Sequence, residues 1–190
     1  MTKSQEKLLA RYFDNDDWKR AEQILRAALR AEPDNHWILT RLSTVHYEQR
    51  QYKRALQWSE RAYARSPDCP LVLWDLAGAL DAVGEKQVSI DICNRLIRRG
   101  IEGLAFGICG EGVVAARGLI ADCHYMVALT CSDLGRLGLA VRHMKHHIKL
   151  RAEGARSIYR LRDARAQLKE IEAGREKRPK KGASGSKQVN

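Results

Sequence analysis

The sequence predicts an all-α fold, an α-solenoid of stacked helical hairpins with a C-terminal capping helix. Three observations carry this. Residue types recur at a period of 34: Leu8 and Leu42, Phe13 and Tyr47, Trp18 and Tyr52, Ala21 and Ala55, Ala28 and Ala62, Leu29 and Tyr63, Pro33 and Pro67. Within each period, apolar residues lie three and four apart, the spacing of one helical face. Nowhere does a strand pattern compete.

The first two units read alike. Each is a helix, a polar turn (DNDD at 14–17, EQRQ at 48–51), a second helix, and then Pro33-Asp34 or Pro67-Asp68. Proline lacks the N–H and its ring collides with the preceding turn, so it ends the second helix each time. The small Ala21 and Ala55 let the paired helices approach closely, while Trp18 and Tyr52 wedge the turn. A third unit keeps the register through Leu76, Ala77, Leu80, Gly84, Ser89, Cys93 and Leu96, with Ser89 at the small position and no closing proline. In a fourth, Gly135, Leu137, Ala140, Met144 and Ile148 follow Gly84, Lys86, Ser89, Cys93 and Ile97 at a spacing of 51, one period plus 17 residues. The surplus falls at 98–118, where six glycines cluster (Gly100, Gly103, Gly107, Gly110, Gly112 and Gly118), and it reads as an inserted connection that bends the stack. Ile158, Leu161, Ala164, Leu168 and Ile171 then predict an amphipathic helix over 157–173, covering the apolar end that a repeat array leaves open. The expected organisation is a repeat domain at 1–174, with repeats near 2–35, 36–69, 70–101 and 119–152, and a disordered basic tail at 175–190.

These residues resemble the tetratricopeptide repeat family, and the resemblance implies that the α-solenoid is right-handed. In the second unit Leu39, Leu42, Ser43, His46, Tyr52, Ala55, Ser59, Ala62 and Pro67 stand at the family's signature positions, and in the first unit Leu8, Tyr12, Trp18, Ala21, Leu25, Ala28 and Pro33 do so. The resemblance implies a protein-interaction module, an adaptor or scaffold that takes an extended or helical peptide in the concave groove lined by the first helix of each pair. Carried over by register, that groove holds Lys3, Glu6, Ala10 and Phe13 from the first unit, Trp37, Thr40, Arg41, Thr44 and Tyr47 from the second, Leu71, Trp74, Asp75, Gly78 and Asp81 from the third, and Tyr125, Leu129 and Ser132 from the fourth, with Phe13, Trp37, Tyr47, Leu71 and Trp74 as anchors. Large rings bury much area with few rotors to freeze. Trp37 and Trp74 could instead pack between neighbouring hairpins. Family members that clamp the acidic tails of heat-shock chaperones use cations and an amide at fixed points, which here hold Glu6, Ala10, Arg41, Leu71 and Asp75. An apolar or mixed peptide is the expected partner.

The charge admits another partner. Lys and Arg number 34 against 23 Asp and Glu, a formal +11 in 190 residues. The tail contributes +5 of this through Arg175, Lys177, Arg178, Lys180, Lys181 and Lys187 against Glu176. Nucleic-acid association through basic faces and tail is therefore the alternative function, and an export or assembly chaperone a further one, against which the basic charge argues. The N-terminus lacks the apolar stretch of a signal peptide and no run of 18 apolar residues occurs, so no membrane insertion and a cytoplasmic location are expected. Five cysteines without a CxxC pair read as free thiols.

No catalytic constellation assembles, and no enzyme activity, cofactor or metal is expected. The glycines of 103–118 lack the spacing of a phosphate loop or dinucleotide fingerprint. Cys109, Cys123, His124 and Cys131 match no zinc spacing, and Cys123 and Cys131 read as core residues. His143 and His147, four apart on one helix, could face a common ion, but His147 stands at a packing position of the repeat, and the cationic neighbours favour a basic face that charges below neutral pH.

Overall fold

The computed structural model describes residues 1–176, and among these every regular element is helical. In chain order they are α1 (Lys3–Asp14), α2 (Trp18–Ala31), α3 (His36–Glu48), α4 (Tyr52–Arg65), α5 (Pro70–Val83), α6 (Lys86–Ala105), α7 (Gly112–Asp133), α8 (Leu137–Ala152) and α9 (Leu161–Glu176). They stack as consecutive helix pairs, each packing on the next.

The period seen in the sequence is a period of backbone geometry. Each hairpin turns through one residue in the left-handed region: Asp16, Arg50, Gly84 and Gly135. The following N–H reaches back to close the turn, from Asp17 to Tyr12 O, Gln51 to His46 O, Glu85 to Leu80 O and Arg136 to Cys131 O, all at 2.8–2.9 Å. Such bonds satisfy carbonyls that the helix end would otherwise leave unpaired. The small positions follow the same register, with Ala21, Ala55, Ser89 and Ala140 fully buried where the paired helices touch. One turn on, Leu25, Ser59, Cys93 and Met144 fill the interhelical layer. Ser43 makes a polar insert affordable there: its hydroxyl donates to Ala55 O at 2.9 Å and lies 2.6 Å from the Ser59 hydroxyl.

Two sequence expectations need correction. The stretch 98–118 is mostly helical. At the third repeat Ile101 stands where Pro33 and Pro67 close the first two, so nothing ends α6, which breaks once at Gly100 (φ 68°, ψ 176°) and continues to Ala105. Leu104, Ala105 and Ala116 join the core that ties the third and fourth hairpins together, and this burial holds the extra turns in helical form. Only residues 106–111 remain as a loop. The second correction concerns the capping helix, which starts at Leu161 and not at 157. Ile158 is 72% exposed, and the segment 155–160 runs across α7 as irregular chain. α9 covers α8 through Ala164 and Ile171 and extends to Glu176, so Arg175 is helical. Lys177, Arg178, Lys180 and Lys181 lie outside the described residues.

By length and composition α7 could cross a membrane, although half of its apolar window is buried inside the fold. Its apolarity has a packing cause: Ile120, Ala121, Cys123, Val127, Ala128 and Cys131 are enclosed between α6 and α8.

Candidate functional site

The face shared by α3 and α5 carries a cleft. On α3 the spacing of Trp37, Thr40, Arg41, Thr44 and Tyr47 places them along one stripe, and Leu71, Trp74, Asp75 and Gly78 do the same on α5. The cleft has two chambers of about 280 and 350 Å³ that share Arg41, Leu71 and Asp75. Trp37, Thr40, Cys69, Cys109 and Glu111 line the first, and Thr44, Tyr47, Trp74, Gly78, Met126 and Tyr159 the second. Gly78 lies on the floor between Tyr47 and Met126, where a Cβ would meet each at 3.8 Å, an ordinary contact.

Arg41 organises the aromatic end. Its guanidinium lies 5.2 Å from the centre of the Trp37 ring and 5.9 Å from that of Phe13, within the range of cation–π attraction. Asp75 follows, accepting a hydrogen bond from Thr44 Oγ1 at 2.9 Å. Burial raises its carboxyl to about 6, although the Thr44 hydroxyl and the Arg41 charge both favour ionisation. The cleft therefore offers rings, one engaged cation, and a carboxylate that ionises near neutrality.

The residues expected from sequence divide into three groups. Trp37, Thr40, Tyr47, Leu71 and Trp74 line the cleft. Trp37 and Trp74 are nonetheless half-buried and pack on the hydrophobic clusters beneath, so each serves cleft and core together. Phe13 packs edge-on against Trp18 at 5.3 Å and meets the cleft through Arg41. Tyr125 is the exception. It is 7% exposed because Tyr159 stacks on it, with ring centres 3.9 Å apart and planes 16° from parallel.

That stacking belongs to a larger contact. Segment 155–160 lies on the face of α7 that continues the cleft, and Asp122 accepts from the Ser157 hydroxyl and, at 3.5 Å, from the Ile158 N–H. A Cβ on Gly118 would lie 2.7 Å from Arg156 O, so the close approach requires glycine. Burial raises Asp122 to about 6, with Ser157, the Ile158 amide and Arg151 opposing. Periodicity could not show this, since 155–160 belongs to no repeat.

The repeat register marks His147 as a packing residue, and the structure places it so. His147 occupies the buried repeat position of Ala28, Ala62 and Leu96, and its Nδ1–H donates to Ala121 O at 2.8 Å. His143 meets His124 instead, Nδ1 to Nδ1 at 3.1 Å, and His146 stacks on the same ring at 5.0 Å. Burial holds His143 and His147 below the usual imidazole range, so they resist charging. Cys123 and Cys131 are buried, as the sequence suggests, whereas Cys109 is exposed and faces His36. Burial pushes the neighbouring Cys69 thiol up to about 11.

Two family models, both described as tetratricopeptide repeat, match residues 12–62 and residues 40–103. No curated protein matches the sequence. Among solved structures the chain is similar to the apo form of RapI (15% identity, TM-score 0.71), covering 88% of this chain and 61% of that one. It is similar to MamA from Desulfovibrio magneticus RS-1, residues 41 to the end, at 14% identity and TM-score 0.67, covering 92% of this chain and 85% of that one. It also resembles a Podosopora anserina putative kinesin light chain with nearly identical TPR-like repeats, at 17% identity and TM-score 0.60, covering 91% and 90% of the two chains. At these identities the likeness is one of fold.

Proposed function

We propose, from the tetratricopeptide repeats that residues 12–103 form, that this chain is a non-catalytic protein-interaction module holding an extended segment of a partner in the α3–α5 cleft. One observation carries the reading: the chain already holds an irregular segment of its own on the same face. At α7, segment 155–160 gives a hydroxyl and an amide proton to Asp122 and a ring to Tyr125. Trp74 stands 51 residues before Tyr125, at the equivalent repeat position, with Asp75 beside it. The partner segment that fits presents an aromatic side chain to Trp74 and Tyr47 and donates protons to Asp75. With Asp75 and Glu48 facing the cleft and Arg41 engaged by rings, a basic residue suits the segment better than an acidic one.

A displayed library of random peptides tests this. Selection on the wild type enriches peptides with an aromatic residue and a neighbouring Lys or Arg, and Trp37→Ala combined with Tyr47→Ala lowers their affinity about tenfold or more while helical circular dichroism is unchanged. Peptides that bind the double variant equally well place recognition elsewhere.

A further inference from the structure

Residues 106–111 fold back tightly between α6 and α7. A Cβ on Gly107 would lie 2.4 Å from Gly103 O, and one on Gly110 2.3 Å from Ala105 O. Between them Cys109 is held at φ 55°, a left-handed conformation uncommon for a residue with a Cβ. The loop thereby presents a thiol to two other elements. Cys109 Sγ is 3.3 Å from Nε2 of His36, the first residue of α3. Both atoms lie within 4.8 Å of Sγ of Cys69, the N-cap of α5.

We propose that His36, Cys69 and Cys109 form a binding site for a thiophilic divalent cation, zinc by its ligand chemistry. Two thiolates and an imidazole are the donors this ion prefers, and the thiolates cancel its charge. Bond lengths of about 2.3 Å to sulfur and 2.0 Å to nitrogen place tetrahedral ligand atoms roughly 3.5–3.8 Å apart. The three donors reach that geometry by shifts of about an ångström or less. Both thiol protons leave to solvent as the ion binds. Cys69 is buried, His36 half-buried and Cys109 exposed, so two ligands are rooted in the repeats and the loop supplies the third. The fourth position opens on the smaller chamber of the cleft, where water completes the tetrahedron. Bound there, the ion pins the loop carrying the exposed Phe106 and Ile108 to the end of the cleft nearest Trp37.

The experiment titrates Co²⁺, a coloured substitute for zinc, into the reduced full-length chain. One equivalent produces sulfur-to-cobalt charge-transfer absorption and tetrahedral d–d bands, which Zn²⁺ abolishes. Cys109→Ser and His36→Gln each weaken cobalt binding at least about tenfold while circular dichroism shows intact helices, and His143→Gln leaves it unchanged. Because Cys109 is exposed, its substitution tests the site without disturbing the core. Reduced protein without these bands overturns the proposal, as do bands that persist in Cys109→Ser. Bands lost only in His143→Gln would place the ion on the His124 cluster and equally overturn it.

Discussion

At the scale of single residues, the repeat position matters more than the residue type. His124 occupies the position held by Leu39 and Leu73 in the preceding units. Burial there, followed by the charges of His143 and His146, holds it at about 4. The unfolded chain, with an imidazole near ~6.5, takes the proton first. The contribution of His124 to stability is therefore complete above about pH 6.5 and is lost as pH falls toward 4. Asp75 and Asp122 act in the opposite sense. Raised to about 6, they bind protons in the folded state before the unfolded one does, so their stabilisation is fullest below about pH 4 and is lost as pH rises through 6. His124→Leu removes the His124 contribution alone, so it is expected to raise stability at pH 5 relative to stability at pH 7, measured by urea unfolding at both values. The left-handed turn position gives a second expectation at this scale. Arg50 sits where Gly84 and Gly135 stand in later repeats, so Arg50→Gly should stabilise the fold by about 0.5–1 kcal/mol, read from the unfolding midpoint.

At the scale of elements, the informative piece is irregular. Segment 155–160 covers Tyr125 because Gly118 lets its backbone approach α7. Gly118→Val should displace the segment and expose the Tyr125 ring. Proteolysis between residues 153 and 161 and a rise in Tyr accessibility would report this, while α7 remains helical. The same element shows how far sequence reading reaches. The stripe Ile158, Leu161, Ala164, Leu168 and Ile171 gave a helix, and from Leu161 onward there is one. Its first member does not join, because Ser157 and the Ile158 amide are held by Asp122 on another element.

At the scale of the molecule, stability is a sum over neighbouring hairpins, as quasi-one-dimensional arrays require. Clusters of buried side chains tie α1–α3, α3–α5 and α5–α9 in overlapping groups. α9 ends the series and buries Ala164 and Ile171. Ile171→Asp should loosen that end at a cost of about 2–4 kcal/mol and promote self-association, followed by thermal unfolding and light scattering. The charge is no longer distinctive of the cleft, whose floor is aromatic with carboxylates beside a single engaged arginine.

The sequence by itself determined the class of fold and the hairpin register, while the stripe expected to face the cleft came from the family resemblance. Fold class and register follow from helical periodicity and from turn and proline chemistry, which act within a few residues. Only the tertiary structure decided that Tyr125 is covered by the chain's own segment, that α6 runs on past Gly100 to Ala105, and that His36, Cys69 and Cys109 meet. Those ligands lie 33 and 40 residues apart in succession. Repeat register alone could place His36 beside Cys69, since both open first helices. The third comes from a loop outside the period, positioned by glycine-permitted close packing that no spacing encodes.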